Sequence, residues 1–365
     1  MIIKDVMTLM QSWAPLNYAE DFDNVGLLVG DPDRELKGIL VTLDTLEATV
    51  DEAIEKNCNL IISFHPIIFK GLKSLTGKTY VERTVIRAIQ NDIAIYAVHT
   101  ALDNHFQGVN AMICNKLGLI NRKVLIPQQH TIKKLQTYVP DDHAESLRTA
   151  LFEAGAGNIG NYDHCSFNLQ GTGTFRGGEG SDPVVGKKGE LHFEKETQLN
   201  ITYPKHAEGR ILKALKETHP YEEVAYEIYG LDNSNQHIGL GMTGDLPEAM
   251  NESSFLKDIT QQMNTPGLRH SALRSKPVKK VAVLGGSGAF AIEQAIAAGA
   301  DVFVTADLKY HDFYRAEGKI VLADIGHYES EQFTKELIVK YLTKKITNFA
   351  VVLSTCNTNP VKYLY

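Results

Sequence analysis

The chain has 365 residues, of which 43% are hydrophobic and 22% charged, and its formal net charge is -7 at pH 7. This length predicts two or three domains, and the acidic balance argues against a nucleic-acid partner, which would need a basic face. The amino-terminal segment lacks the long apolar stretch of a signal peptide or membrane span, and the four cysteines are scattered. We therefore expect a cytoplasmic protein with no membrane partner, no disulfide framework and no thiolate zinc site.

The first third of the chain alternates helices and strands. It opens with an amphipathic helix that places Val6, Leu9, Met10 and Trp13 on one face. Strands that are separated by helices pair in parallel and carry the helices on the faces of the sheet. An α/β body is therefore predicted here. In chain order, the predicted strands are 38–45, 59–66 and 93–103, and the predicted helices after the first are 47–58, 79–92 and 108–119.

The pattern changes between residues 128 and 236. A strand, a helix and a strand are followed by a polar, glycine-rich stretch and then by a second strand, helix and strand. This order predicts a ferredoxin-like α+β domain inserted into the α/β body. Within it, His219, Tyr221 and Glu222 fit either a ligand site or a surface that faces a neighbouring subunit. The predicted strands are 133–140, 165–177, 197–204 and 222–231, and the predicted helices are 141–155 and 205–219.

The alternating pattern returns after about residue 236. We therefore predict three segments: 1–127 as the first part of the α/β body, 128–236 as the inserted domain, and 237–365 as the second part of the body. In the second part, the predicted strands are 279–286, 300–307, 319–326 and 348–355, and the predicted helices are 289–299, 309–318 and 328–344.

Imidazole and carboxylate side chains stand at the ends of several predicted strands. Ligands of α/β sheets bind at the carboxyl ends of strands. Imidazole and carboxylate suit zinc, iron, manganese, cobalt or nickel, and a carboxylate can bridge two such ions. Paired ions activate water, so hydrolysis is the predicted reaction class. The residues at or near these ends are His65, His99, Asp103, Asp307, His311, His327 and Glu331.

His327 and Glu331 lie four residues apart where a strand passes into a helix, so their side chains stack on one helix face. The pair fits a shared cation, and it equally fits capping of the helix start, where acids are favoured. A single histidine at a strand end is more often structural than ligating. The metal interpretation therefore depends on several such residues at equivalent positions.

Six segments carry a resemblance to a known family. They are "DNVGLLVG" (23–30), "SFHPIIFKG" (63–71), "AVHTALDNHFQGVN" (97–110), "HPYEEVAYEIY" (219–229), "VAVLGGSGAFAIEQAIAAGADVFVTADLKYHD" (281–312) and "ADIGHYESE" (323–331). Together they resemble the GTP cyclohydrolase I type 2 homologue family, also called the Nif-three-like family. The resemblance implies a two-part α/β body of mixed sheets flanked by helices, with a PII/CutA-like insert. It also implies a ring-shaped homohexamer and two divalent metal ions per subunit.

The resemblance also implies a set of metal ligands. Within the H-T-x-x-D motif, His99 is a ligand or a neighbour of the ligands. The family usually has two adjacent histidines where this chain has Phe64 followed by a single histidine, so one ion is expected to have fewer protein ligands. Ala306 stands where the family usually has glycine. Carried over residue by residue, the family's ligands fall on His65, Asp103, His327 and Glu331.

A glycine loop follows the strand 279–286. Gly286 and Gly288 are followed by Ala291, and Asp307 closes the next strand about 20 residues on, which fits a dinucleotide fingerprint. Three interpretations are open: a dinucleotide cofactor site, a substrate phosphate held at the helix start, and close packing of the helix on the strand.

These patterns predict a metal-dependent hydrolase or cyclohydrolase that acts on a small phosphorylated or nucleotide-like substrate, with zinc as the favoured metal. His99 or His311 would move protons, because histidine titrates near neutral pH. The family resemblance suggests ring opening of GTP. One alternative is a non-enzymatic, metal-binding regulatory or chaperone-like ring assembly. Another is a nicotinamide oxidoreductase, in which Gly286 and Gly288 would bind the cofactor.

Overall fold

A computed structural model describes residues 1–364 of the chain. The chain forms two compact units. One, the outer unit, consists of Met1–Pro127 together with the chain from His237 onward; the other, the inserted unit, is Gln128–Gln236. The fold is mixed α/β, with three sheets flanked by helices.

The first part of the outer unit contains five helices and five strands. They are α1 (Ile3–Trp13), β1 (Gly26–Val29), β2 (Ile39–Thr42), α2 (Glu47–Glu55), β3 (Leu60–Ser63), α3 (Tyr80–Gln90), β4 (Ala94–Ala97), α4 (His99–Asp103), α5 (Val109–Lys116) and β5 (Ile120–Pro127).

The inserted unit follows in the order strand, helix, strand, strand, helix, strand. Its elements are β6 (Ile132–Pro140), α6 (Ala144–Glu153), β7 (Phe167–Phe175), β8 (His192–Pro204), α7 (Glu208–Thr218) and β9 (Tyr226–Leu231). The four strands form one antiparallel sheet in the order β7-β8-β6-β9, and a buried apolar cluster joins the sheet to α6 and α7.

The chain then returns to the outer unit. The remaining elements are β10 (Gly239–Met250), α8 (Glu252–Gln262), β11 (Arg269–His270), β12 (Val278–Ser287), α9 (Ile292–Ala297), β13 (Val302–Ala306), a 3-10 helix (Tyr310–Ala316), β14 (Val321–Asp324), α10 (His327–Glu331), α11 (Thr334–Lys345) and β15 (Val351–Leu353).

The first sheet of the outer unit has the order β1-β4-β3-β2-β15, in which β15, β2, β3 and β4 are parallel and β1 is antiparallel to β4. Every residue of β2, β3 and β4 is buried, as expected for parallel strands covered on both faces. Because these strands are parallel, the residues that follow them, Asp44, His65 and His99, emerge at one edge of the sheet.

The second sheet of the outer unit has the order β11-β14-β13-β12-β10-β5. Its strands β12, β13 and β14 are parallel, so that Gly286, Asp307 and His327 lie at or beyond one common edge. One buried apolar cluster contains side chains from both sheets, including Val41 and Val283. Helix α5 contacts β10 and β12, α11 contacts β2, and the two helices contact each other, which ties the sheets into one unit.

Two local expectations were wrong. The strand predicted over 93–103 ends at Ala97, and His99–Asp103 is helical, because the backbone turns at His99 with a φ of +23°. The helix predicted over 328–344 is two helices, α10 and α11, with a break between Glu331 and Thr334. As a result, His99 is the first residue of α4 and His327 is the first residue of α10.

Candidate metal centre

His65 follows directly on the buried strand β3. Its backbone N–H donates to Leu43 O at 2.9 Å, and Ser63 Oγ donates to the His65 carbonyl at 2.6 Å. The imidazole Nδ1 lies 2.8 Å from Asp44 Oδ1. Since the carboxylate accepts the proton of Nδ1, Nε2 is the nitrogen that would offer its lone pair to a ligand once the imidazole is neutral.

His327 and Glu331 are the first and last residues of α10. The preceding residue, Gly326, has a φ of +91°, which permits the turn out of β14. His327 Nδ1 lies 2.6 Å from Asp307 Oδ2, and His327 Nε2 lies 3.3 Å from Glu331 Oε2. The helix therefore presents an imidazole and a carboxylate on the same face.

The two sheets bring these three side chains together. His65 Nε2 lies 3.1 Å from Glu331 Oε2. One ligand atom from each of His65, His327 and Glu331 lies within 4.8 Å of the others, a spacing that suits a shared metal ion. Glu331 is 2% exposed, so that its carboxylate has been removed from water.

Buried atoms without hydrogen-bond partners show that this group suits a cation. Within the described residues, His65 Nε2, Glu331 Oε2 and Asp103 Oδ1 are buried and make no hydrogen bond of regular geometry, although the first two atoms lie 3.1 Å apart. Buried polar atoms normally have partners, and leaving one without a partner costs about 1–3 kcal/mol. Imidazole nitrogens and carboxylate oxygens are the donors that zinc and related divalent ions take.

The protonation of the metal-free group follows from its charges. Burial opposes protonation of His65, but the charge of Glu331 and the hydrogen bond to Asp44 outweigh it and raise the pKa of His65 to about 10. Burial also opposes protonation of His327, yet the hydrogen bond to Asp307 and the charge of Glu331 raise its pKa to about 11. Both imidazoles are therefore protonated at neutral pH, and a bound cation would replace those protons.

The pKa of Glu331 moves the other way. Its burial favours the neutral acid, but the two facing imidazolium charges dominate and lower the pKa of Glu331 below its ordinary range. Asp103 shows the opposite balance. Burial, followed by the charge of Glu331, raises its pKa well above the usual value for a carboxyl group. The pKa of Asp103 is thus affected by the charges of this site, although Asp103 does not belong to the group formed by His65, His327 and Glu331.

His99 stands beside the group. Its Nδ1 lies 2.8 Å from Asp23 Oδ1, and its ring centroid is 5.3 Å from that of His65. Its positive φ is rare for a residue with a side chain, and backbone strain of this kind is concentrated at functional sites. Asp307 also has a positive φ, of +56°.

Sequence reasoning found only one of the three carboxylates that orient the histidines: it singled out Asp307 at a strand end and missed Asp23 and Asp44. Asp23, Asp44 and Asp307 each accept from the Nδ1 of one imidazole, and each also accepts from a hydroxyl group. Asp44 directly follows the strand pattern of β2, so the rule that searches strand ends could have found it. The hydroxyl donors are Thr100 to Asp23, Thr358 to Asp44 and Ser287 to Asp307.

The glycine loop packs against the site. A Cβ added to Gly286 would lie 2.5 Å from Glu331 Oε1, and one added to Gly288 would lie 1.9 Å from Thr305 Oγ1. The Gly286 N–H donates to Ser330 Oγ at 2.9 Å, and the Gly288 N–H donates to Ala306 O at 3.3 Å. Since these groups already have partners inside the protein, the contacts favour the packing interpretation over a phosphate or dinucleotide site.

His311 lies apart from the other predicted residues. It is exposed on the 3-10 helix, where its ring contacts those of Tyr310 and Tyr314. Within the described part of the chain, it belongs neither to the close group nor to the lining of the cavity beside that group.

The cavity beside the group has a volume of about 740 Å³. Its lining includes His65 and His327, and Arg269 brings a positive charge to it while bonding to Asp324. Phe64 packs against two imidazoles of the site. It is fully buried, with its ring centroid 4.9 Å from that of His65 and 5.6 Å from that of His99.

The chain is similar to known protein sequences and solved structures over its full length. The family model Duf34/NIF3 (NGG1p interacting factor 3) matches residues 1–360. A Bacillus subtilis protein named GTP cyclohydrolase 1 type 2 homolog is 38% identical, covering 99% of this chain and 98% of that protein. A Staphylococcus aureus protein of the same name is 37% identical, covering 100% of both.

Solved structures agree with the sequence matches. The crystal structure of a Bacillus cereus protein related to NIF3 has a TM-score of 0.86 and 36% identity, covering 100% of this chain and 99% of the other. Within residues 1–364, no helix is long and apolar enough to cross a membrane. The resemblance drawn from the sequence motifs is confirmed: the chain belongs to the Duf34/NIF3 family.

Proposed function

We propose that this chain binds two divalent metal ions, with zinc favoured, and is a metal-dependent hydrolase or cyclohydrolase. The observation that carries this proposal is the buried Glu331 carboxylate faced by two imidazoles, each oriented by a carboxylate on its far nitrogen. His65, His327 and Glu331 would hold one ion. Asp103, whose buried Oδ1 has no hydrogen-bond partner among the described residues, would contribute to the second.

A divalent ion in this position supplies the Lewis-acid chemistry that activates water for hydrolysis. The chain's own residues prepare the site for it. Asp44 and Asp307 hold the two ligand imidazoles with Nε2 directed to Glu331. We assign proton transfer to His99 rather than His311, because Asp23 fixes the Nδ1 of His99 beside the group and leaves Nε2 to accept or release a proton.

The cavity and the relatives support the proposed substrate class. A volume of about 740 Å³ falls within the range of small-molecule sites. Arg269 in the lining is paired with Asp324, and Asp44, Asp307 and Glu329 also line the cavity, so the proposed metal ions would have to supply the charge that attracts an anionic group. The curated relatives carry the name GTP cyclohydrolase 1 type 2 homolog. We therefore propose a small phosphorylated or nucleotide-like substrate, with ring opening of GTP as the specific candidate.

The inserted unit and the assembly complete the proposal. The sheet order β7-β8-β6-β9 with two helices supports a ferredoxin-like domain of the PII/CutA type at 128–236. We also propose a ring-shaped homohexamer in the cytoplasm, as the family resemblance implies.

A turnover screen tests the enzymatic proposal. Metal-loaded protein is assayed against nucleotides, phosphoesters and cyclic amides, alongside the His65→Ala and His311→Ala variants. We expect a substrate that the wild type and His311→Ala convert and that His65→Ala does not. If His65→Ala converts every substrate as fast as the wild type, the metal-dependent hydrolase is excluded. If the metal-loaded wild type converts none, the non-enzymatic assembly is the better account.

A further inference from the structure

The last segment of the chain, residues 354–364, contains no helix or strand but reaches the metal centre. Asn359, Pro360, Val361 and Tyr363 line the same cavity as His65. A segment without regular structure must be held by its side chains, so its contacts show what fixes it in place.

The start of the segment is held by contacts that do not involve the proposed metal ligands. Ser354 Oγ donates to Glu52 Oε2 at 2.5 Å, and Thr355 donates to Glu52 Oε1 from both its N–H, at 2.8 Å, and its Oγ1, at 2.7 Å. Glu52 is buried in α2. Further along, Asn359 Nδ2 donates to Glu329 Oε1 at 2.9 Å. These contacts fix the segment on both sides of Thr358.

Thr358 links the segment to a ligand of the proposed metal. Its Oγ1 donates to Asp44 Oδ2 at 2.6 Å, and Asp44 Oδ1 accepts from His65 Nδ1 at 2.8 Å. Thr358 is 7% exposed, whereas the Asp44 side chain is 32% exposed. With both oxygens bonded, the carboxylate is held in one orientation beside His65. Without the hydroxyl, Asp44 is free to rotate towards solvent.

We propose that Thr358 is a positioning residue of the metal centre, through which the C-terminal segment holds His65 in its ligating orientation. The proposal rests on the metal site proposed above. The other two imidazoles have the same arrangement of a hydroxyl bonded to the orienting carboxylate. Ser287 donates to Asp307, which bonds to His327, and Thr100 donates to Asp23, which bonds to His99. Outer groups that orient metal ligands typically change metal affinity about 10–100-fold when they are removed.

Three variants of the full-length chain test this inference. Thr358→Val removes the hydroxyl at nearly constant volume, Thr358→Ser restores it, and Thr355→Val removes a hydroxyl of the same segment that bonds to Glu52 instead. The metal-free form of each variant is titrated with Co²⁺, or with Zn²⁺ in competition with a chromophoric chelator. The absorption spectrum of the Co²⁺ form is recorded. The melting temperature of the metal-free form is measured as a check on folding.

We expect Thr358→Val to weaken the tighter metal site about ten-fold, the low end of the range for such outer groups because Asp44 stands between Thr358 and His65, and to alter the Co²⁺ spectrum. Thr358→Ser should stay within about three-fold of the wild type, and Thr355→Val should leave the affinity unchanged. Unchanged affinity in Thr358→Val, or an equal loss in Thr355→Val, would overturn the inference. If the wild type itself binds no metal, the proposed function fails instead.

A double-mutant cycle with Asp44→Asn keeps the test decisive if Thr358→Val destabilises the fold. If Thr358 acts through Asp44, its substitution has little further effect on metal affinity once the carboxylate is gone. If the losses of metal-binding free energy in the two single variants add up in the double variant, Thr358 acts independently of Asp44 and its role is only structural.

Discussion

At the scale of single residues, the main property of the metal-free centre is the protonation of its two imidazoles, His65 and His327. Glu331 is almost completely buried and faces the Nε2 atoms of His65 and His327, while Asp44 and Asp307 hold the opposite nitrogens. The metal-free site is thus a buried cluster of charges in which protons occupy the positions that a divalent ion would take. Metal binding and proton release must be coupled in such a site.

Proton release on metal binding is the first prediction. Because the pKa values of His65 and His327 are raised to about 10 and about 11, both imidazoles should lose a proton when a divalent ion binds at pH 7. We expect about two protons per tightly bound ion. Calorimetric titrations in buffers of different ionisation enthalpy measure this number. Release of fewer than one proton would contradict the arrangement, and Glu331→Gln should release fewer than the wild type.

The stability of the metal-free protein should depend on pH in a defined direction. The folded pKa values of His65 and His327 lie above the ordinary value of 6.5. Their stabilising contribution is therefore fully present below about pH 6.5 and is lost as the pH rises through about 10 to 11. We expect the melting temperature of chelator-treated protein to fall between pH 6.5 and pH 10. Glu331→Gln should show a shallower decline, and a rise over this range would refute the assignment.

Several site residues could be predicted from the sequence, and the reason is geometric. Parallel strands deliver the residues after them to one edge, so His65 and His327 could be found at strand ends, and Glu331 follows one helical turn later. The pairing of Thr358 with Asp44 could not be found, because it joins positions 314 residues apart through a segment with no repeating pattern.

At the scale of elements, the glycine segment that begins at the end of β12 acts as a packing surface for α10. Gly286 has a φ of +70°, and a Cβ there would press on Glu331 Oε1. The motif that resembles a dinucleotide fingerprint can therefore be explained by the close approach of the loop to the ligand helix.

A pair of glycine substitutions separates backbone strain from contact with the site. Gly299 has a φ of +72°, close to that of Gly286, but a Cβ added to it would meet nothing within 4 Å. We expect Gly299→Ala to lower the free energy of unfolding by about 1–2 kcal/mol, as a left-handed conformation costs an ordinary residue. Gly286→Ala should lower it by more, because its Cβ also collides with Glu331. Only Gly286→Ala should also weaken metal binding, by displacing Glu331. Equal metal affinity in the two variants would contradict this role for Gly286.

At the scale of the whole molecule, the inserted unit interrupts a hairpin of the outer unit. Strands β5 and β10 are antiparallel, with Pro127 opposite Gly239, so the chain leaves and re-enters the sheet at adjacent positions. The alternating sequence pattern indicated that the flanking parts fold together. It did not reveal β10 or α8, nor that β15 pairs with β2, because such pairing depends on contacts about 300 residues apart.

Removal of the inserted unit should leave the outer unit intact. Replacing residues 128–236 with a short turn that contains Asn-Gly should close β5 and β10 into an ordinary hairpin. We expect the shortened protein to unfold cooperatively and to bind metal with the affinity of the full chain, because every proposed ligand lies in the outer unit. A protein that lacks cooperative unfolding, or folds without binding metal, would show that the outer unit requires the insert.

The proposed function depends on a divalent metal ion held by His65, His327 and Glu331. Elemental analysis of protein purified without chelator, combined with anomalous diffraction at the absorption edge of the metal found, tests it most directly. We expect a strong anomalous peak within bonding distance, about 2.0–2.2 Å, of His65 Nε2, His327 Nε2 and Glu331 Oε2. A second peak near Asp103 should have lower occupancy, because Phe64 supplies no ligand. Stoichiometric metal with no peak at these three atoms, or no metal after saturating incubation with zinc, would contradict it.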